Sequence, residues 1–315
     1  MQVTQTVSGR GGARGAGWLG GSWLSPRRLG ALAALLCLSA CGRAELEPAG
    51  PVSAAERKVL FDSLAIMLAI VIPVIVATLL IAFRFRASNT KAAYRPTFTH
   101  SGRIELIIWS IPALVIFFLG GLAWTSSFLL DPARPLPARI KPLEVQVVSL
   151  DWKWLFIYPD QGVASVNRLV VPAGVPLRLR LTSASVWNAF WVPQLGSMLY
   201  CMHGMAGTLY LQADRPGVYQ GRSAMISGDG FADMHFDTDA VTTQDFASWV
   251  SASQASGPRL DDTAYRALLR QSSNVTPYTY ASVRPELFDA IVTQQLPPGE
   301  GPAPVPDQHV FDLSR

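Results

Sequence analysis

The chain changes its hydrophobic rhythm near residue 131: long unbroken apolar runs precede it and short alternating ones follow. The first long run, about Val59 to Phe83, has Asp62 near its start as its only strongly polar member and carries Pro73 in its interior. At 1.5 Å per residue it is long enough for a hydrocarbon core of about 30 Å. The second, about Ile104 to Leu130, contains Pro112 and is flanked by Trp109 and Trp124, residue types that favour the membrane interface. A proline inside a span is tolerated where neighbouring helices satisfy the freed carbonyl, so both helices are expected to pack against other spans. Between them lie Arg84, Arg86, Lys91, Arg95 and Arg103 with no acidic residue, which places this loop in the cytoplasm. Everything after residue 131 is then on the periplasmic side.

Upstream, residues 1–26 are rich in Gly, Ser and Arg and fit a disordered leader or an over-extended start. Arg27 and Arg28 precede an apolar stretch, Leu29 to Leu38, too short to span a bilayer and suited to a signal-peptide core. It ends in Leu38-Ser39-Ala40-Cys41, which resembles the bacterial lipobox: small residues admit the peptidase, and the cysteine thiol takes a diacylglycerol, with an acyl chain such as palmitate. Cys41 is the expected lipidation site. The bland reading is an ordinary signal peptide with a chance cysteine.

Downstream, the Pro-rich linker 131–137 leads into runs at Leu143 to Leu150, Trp154 to Tyr158, Val166 to Val171, Leu177 to Thr182, Thr208 to Ala213 and Gly217 to Ala224. Turn residues separate them, and many short strands so spaced predict a β-sandwich. Residues 243–292 read as helical and polar with scattered aromatics, and the Pro- and Gly-rich tail beyond Leu296 as disordered. The expected organisation is a leader and signal peptide over 1–40, a transmembrane hairpin over 41–130, a periplasmic domain over 131–242, an aromatic-rich arm over 243–295 and a disordered tail over 296–315.

Composition sharpens this only at the margins. Half the residues are hydrophobic and 15% are charged, which leans toward a membrane protein. The formal charge of +4 comes from basic residues scattered or beside apolar runs, without the basic stripe and interleaved aromatics of a nucleic-acid binder. Of the three cysteines, Cys37 and Cys41 lie in the processing region, leaving Cys201 alone and excluding a disulfide scaffold.

Several separated motifs now resemble one family. Glu105 followed by Trp109-Ser110-Ile111-Pro112 is similar to the start of the second helix in subunit II of haem-copper oxidases. Asp151-Trp152-Lys153-Trp154 resembles the tryptophan-rich strand of that subunit, and Asn188 to Gly196 its stretch with the first copper-ligand histidine. The likeness implies a cupredoxin-like Greek-key β-sandwich. In the branch that oxidises cytochrome c, this domain holds a dinuclear copper centre with the loop pattern Cys-x-Glu-x-Cys-x-x-x-His-x-x-Met. Here the matching positions are Ser223, Met225, Ser227, Phe231 and Met234, and the upstream histidine is Asn188. Soft bridging thiolates are what hold such a centre, and serine hydroxyls and a phenyl ring do not replace them. The pattern resembles the quinol-oxidising branch, of the cytochrome bo type, which needs no periplasmic copper relay.

The resemblance implies no catalytic group and no cofactor in this chain. Haems and copper belong to subunit I, quinol is the substrate of the complex, and subunit I, other subunits and membrane lipid are the partners, without cytochrome c. Glu105 matches an acid near the mouth of a proton path into subunit I; otherwise it is an interfacial carboxylate paired with Arg103 or solvent. Cys201, Met202, His203 and Met205 have soft-ligand composition but are expected in a connecting loop away from the former copper loop. His235 reads as an ordinary strand residue, His100 lies in the cytoplasmic loop and His309 in the tail. Trp152 and Trp154 read as core or partner contacts. Tyr265, Tyr278, Tyr280 and Phe288 resemble the family's aromatic-rich arm and are expected to anchor neighbouring subunits. The competing readings are cytochrome c oxidase subunit II, which the missing thiolates oppose, and a membrane-tethered periplasmic binding or metal-handling module using the Met202–Met205 loop.

Overall fold

In the computed structural model of the chain, residues 46–93 and 97–301 are described. The expectations for Cys37, Cys41, Arg95 and His309 fall outside these residues.

Two long helices come first: α1 (Pro51–Arg84) and α2 (Gly102–Leu129). Their 34 and 28 residues give lengths of about 50 and 42 Å, enough to cross a bilayer. Apolar side chains such as Ile72, Leu79, Ile116 and Phe117 stand exposed along both, as a lipid-facing or partner-facing surface requires. α1 starts two turns before the apolar run. Pro51 supplies the preset φ of a first helical residue, and Ser53 Oγ donates to the carbonyls of Gly50 (3.0 Å) and Gln194 (2.7 Å). Gly50 is required by close approach, since a Cβ there would lie 2.1 Å from the carbonyl oxygen of Gln212. The head of α1 is thereby fastened to the β-domain.

The β-domain has strands β1 (Leu143–Leu150), β2 (Lys153–Tyr158), β3 (Val163–Val166), β4 (Arg168–Pro172), β5 (Leu177–Ser183), β6 (Asn188–Trp191), β7 (Leu199–Cys201), β8 (Gly207–Leu211), β9 (Gly217–Ser223) and β10 (His235–Val241). One sheet runs β3-β2-β1-β5-β8 and the other β4-β10-β9-β6-β7, with β1 parallel to β5 and β4 parallel to β10. Between them, Trp154, Phe156, Phe190 and Phe236 form an aromatic nest with ring centroids 5.1–6.4 Å apart. A single expected strand over 166–171 is broken at Asn167, whose φ of 54° turns the chain from one sheet to the other. Its side chain accepts from Trp154 N at 2.8 Å and donates to Val275 O at 2.9 Å, which holds the kink. Beyond His235, β10 is not legible in the sequence, because Asp237 and Asp239 make it look like loop. Its inward residues Phe236, Thr238 and Ala240 are buried.

The arm contains α3 (Thr243–Ser256), α4 (Asp262–Leu269) and α5 (Leu287–Val292), with short strands β11 (Arg259–Leu260), β12 (Tyr278–Tyr280) and β13 (Ser282–Val283). β12 pairs with β3, so the arm extends the first sheet. The expected outward role of the arm aromatics is corrected for three of them. Tyr265, Tyr280 and Phe288 are buried in a second apolar cluster with Val148, Leu155 and Leu260, because the outer face of the first sheet is itself apolar. Only Tyr278 is exposed. The beginning of the tail also differs from expectation. Gly299 N donates to Ala184 O at 2.8 Å, and Gly301 N donates to Asp151 Oδ2 at 3.0 Å.

Candidate functional site

The six positions that the resemblance matches to copper ligands lie on β6, on β9 and in the loop that follows β9. β6 brings Asn188, β9 brings Ser223, and the following loop with its 3-10 turn Phe231–Asp233 brings the rest. β6 pairs with β9 at Phe190–Ser223, and Ala224 N donates to Ala189 O at 3.0 Å. The buried Asn188 amide is engaged at both ends: Nδ2 donates to Ser149 Oγ at 2.7 Å, and Oδ1 accepts from Ser223 Oγ at 3.1 Å. Ser223 N donates in turn to Met234 O at 3.1 Å, closing the loop back onto its strand.

Trp152 pins the far side. It occupies the turn between β1 and β2 with φ 61°, its indole N–H donates to Ser227 O at 3.1 Å, and its ring lies on Gly230, where a Cβ would come within 2.4 Å. Trp154 is fully buried in the aromatic nest. The two tryptophans therefore divide the work: one packs the core and the other packs the loop.

This donor set does not fit a dinuclear copper centre. Asn188 and Ser223 satisfy each other, Phe231 offers no lone pair, and the Met225 and Met234 thioethers have no thiolate partner. The buried Ser227 hydroxyl finds no hydrogen-bond partner among the described residues, yet one orphan hydroxyl is not a ligand set.

Cys201 is corrected from loop to strand. It is the last residue of β7, in register with Asn188 on the neighbouring strand, and it lies in the core. Burial pushes its thiol far above the ordinary range, which opposes thiolate chemistry. His203 Nδ1 lies 3.1 Å from Ser183 O, whereas Met205 is exposed. His235 is an exposed residue of β10. Glu105, in the first turn of α2, has His100 as its partner (Nδ1 to Oε1, 2.6 Å) rather than Arg103.

Two ionisable residues of the tryptophan-rich motif have a role that the sequence did not assign. Lys153 is buried at the start of β2, with Nζ 2.6 Å from both Arg270 O and Ser272 Oγ. Burial pulls its ammonium down to about 8, against the opposing pull of the nearby Asp151 carboxylate. Buried Asp151 accepts from Ser185 Oγ and the Gly301 amide. Their signal was present in the sequence: two charges flanking tryptophan in an otherwise apolar strand.

Residues 159–241 match the model of the cytochrome c oxidase subunit II periplasmic domain, and residues 254–299 match the COX aromatic rich motif. Cytochrome bo(3) ubiquinol oxidase subunit 2 of Pseudomonas aeruginosa is 43% identical over 91% of this chain and 85% of its own length. Ubiquinol oxidase subunit 2 of Acetobacter aceti is 45% identical over 85% of this chain and 87% of its own. Quinol oxidase subunit 2 of Bacillus cereus is 38% identical over 76% and 83%.

Proposed function

The chain belongs to the family of ubiquinol oxidase subunit II, and from that premise we propose that it serves a proton-pumping terminal oxidase as a structural subunit without a redox group of its own. The complex is an oxidoreductase that passes electrons from quinol to oxygen. The observation that carries the non-catalytic role is the hydrogen-bonded Asn188–Ser223 pair standing where soft ligands are needed. Electrons then reach the haems and copper of subunit I without passing through the β-domain.

The hairpin packs on subunit I through its exposed apolar surfaces and the sandwich caps the periplasmic face of the inner membrane. A diacylglyceryl group on Cys41 adds a second anchor beside α1. In support, Arg57 of α1 donates to Leu46 O at 3.2 Å, which holds the first described residue beside the head of that helix. Glu105 contributes to proton entry at the opposite end of the hairpin as a modulating carboxylate.

Purification of the chain from its native membrane through a carboxyl-terminal tag tests this reading. A redox difference spectrum with haem bands, oxygen uptake with quinol but not with reduced cytochrome c, and no near-infrared band of dinuclear copper are expected. A haem-free chain purifying alone overturns it in favour of a tethered binding module.

A further inference from the structure

At the end of the hairpin remote from the sandwich, the apolar run of α1 stops at Phe83 and is followed by Arg84, Phe85 and Arg86. The chain turns there in an ordered way. Asn89 N donates to Arg86 O at 2.9 Å, and Asn89 Nδ2 caps the helix at Arg84 O, 2.5 Å away. One of the carbonyls left open at the end of α1 is thus occupied, and the two arginines stand where the remaining negative end of the helix favours cations. Beside this turn lies an open cavity of about 670 Å³ lined by Arg84, Phe85, Arg86, Asn89 and Phe98, among others. Neither guanidinium has an ion-pair partner among the described residues, and Arg86 is held over the Phe83 ring at 4.4 Å. The carboxylate nearest in sequence, Glu105, is engaged by His100.

We propose that this cavity is a binding site for the phosphodiester of an anionic phospholipid, held by Arg84 and Arg86, with Phe85 and Phe98 against the upper acyl region. Guanidinium groups match phosphate oxygens by shape as well as charge. The position decides for a lipid over a soluble phosphate: the cavity begins where the apolar run ends, which is headgroup depth, and its two phenyl rings are more than half exposed. Lys91, in the connecting segment, and Arg103, in the first turn of α2, are further cations that do not line the cavity. The inference requires only that the hairpin crosses a membrane and does not depend on the oxidase reading.

The test uses the full chain, with whatever co-purifies, in nanodiscs carrying photoactivatable phosphatidylglycerol or phosphatidylcholine at equal mole fraction, followed by mapping of labelled peptides. Several-fold stronger labelling of the 84–98 segment by phosphatidylglycerol is expected, unchanged by excess inorganic phosphate. The double substitution Arg84→Gln and Arg86→Gln should lower it to the phosphatidylcholine level, and Arg84→Lys with Arg86→Lys should retain part of it. Equal labelling of the unsubstituted chain by the two lipids overturns the proposal whether or not the variants fold. So does displacement by free phosphate, or a preference that survives the double glutamine substitution. Haem content and quinol oxidation in the same preparation report separately on the oxidase reading.

Discussion

The aromatic nest between the sheets and the loop of residues 223–234 share one sandwich but are held by different forces. The nest is apolar: Trp154, Phe156, Phe190 and Phe236 are buried, and Phe190 and Phe236 stack at 5.2 Å. The loop is held by directional bonds, from Asn188 to Ser149 and Ser223, from Ser223 to Met234, and from Trp152 to Ser227. Burial of large apolar side chains carries most of the free energy of a fold, whereas each hydrogen bond adds a modest net amount and mainly selects one geometry. A loop without a metal can therefore keep its shape on side-chain amides and hydroxyls, provided the core beneath it is intact.

The sharpest way to break this contrast is to empty the nest. Trp154→Ala should cost about 3–5 kcal/mol, read as a lowered midpoint of near-ultraviolet circular dichroism on heating the full chain, with the loop lost together with the core. A smaller loss, confined to the loop, would show that the nest is not what supports it.

Lys153 sharpens the comparison through pH. Its ammonium is harder to form in the folded chain, about 8 against an ordinary 10.5, so the unfolded chain binds the extra proton between those values. Stability should therefore rise as pH goes from 8 toward 10. Above pH 10 the buried hydroxyls of Tyr158 and Tyr265, also raised by burial, pull the other way. Lys153→Met should flatten the rise between pH 8 and 10 in denaturant titrations. An equal slope in both proteins would assign the pH dependence elsewhere.

On the loop itself, Asn188→Ala leaves the buried Ser149 and Ser223 hydroxyls short of a partner and should cost about 1–3 kcal/mol. Ser227→Ala removes a buried hydroxyl that has no partner and should change stability by less than about 0.5 kcal/mol or raise it slightly. If both substitutions cost the same, the hydrogen-bond account of the loop is wrong. A chelator should leave the melting midpoint of the unsubstituted chain unchanged, as calorimetry would show, because no loop position supplies a thiolate.

Much of the architecture was legible before the structure. The two spans are legible because a bilayer imposes a continuous apolar length, a property of local composition. Six strands were legible because one face of each repeats every second residue. Most of β3 and β10, and all of β6 and β7, were not: they are short or carry acidic residues on their outer face, and only pairing makes them strands, β3 with β2, β6 with β9, β7 with β6, and β10 with β9 and β4. The arm misled for a similar reason. Its aromatics look like an outward anchor until the apolar outer face of β1 and β2 is seen to need covering, by Tyr265, Tyr280 and Phe288.

The amino-acid sequence by itself determined the membrane hairpin, the sandwich class and the replacement of thiolate and imidazole donors at residues 188 and 223–234, because hydrophobic length, alternation and donor chemistry are properties of residues in order. Only the tertiary structure decided that Asn188 and Ser223 neutralise each other, that Cys201 is buried one strand away, that Glu105 pairs with His100, and that Gly301 returns to Asp151. The last joins residues 150 positions apart. Such contacts follow from how sheets stack and loops close, and no local pattern encodes a partner that distant.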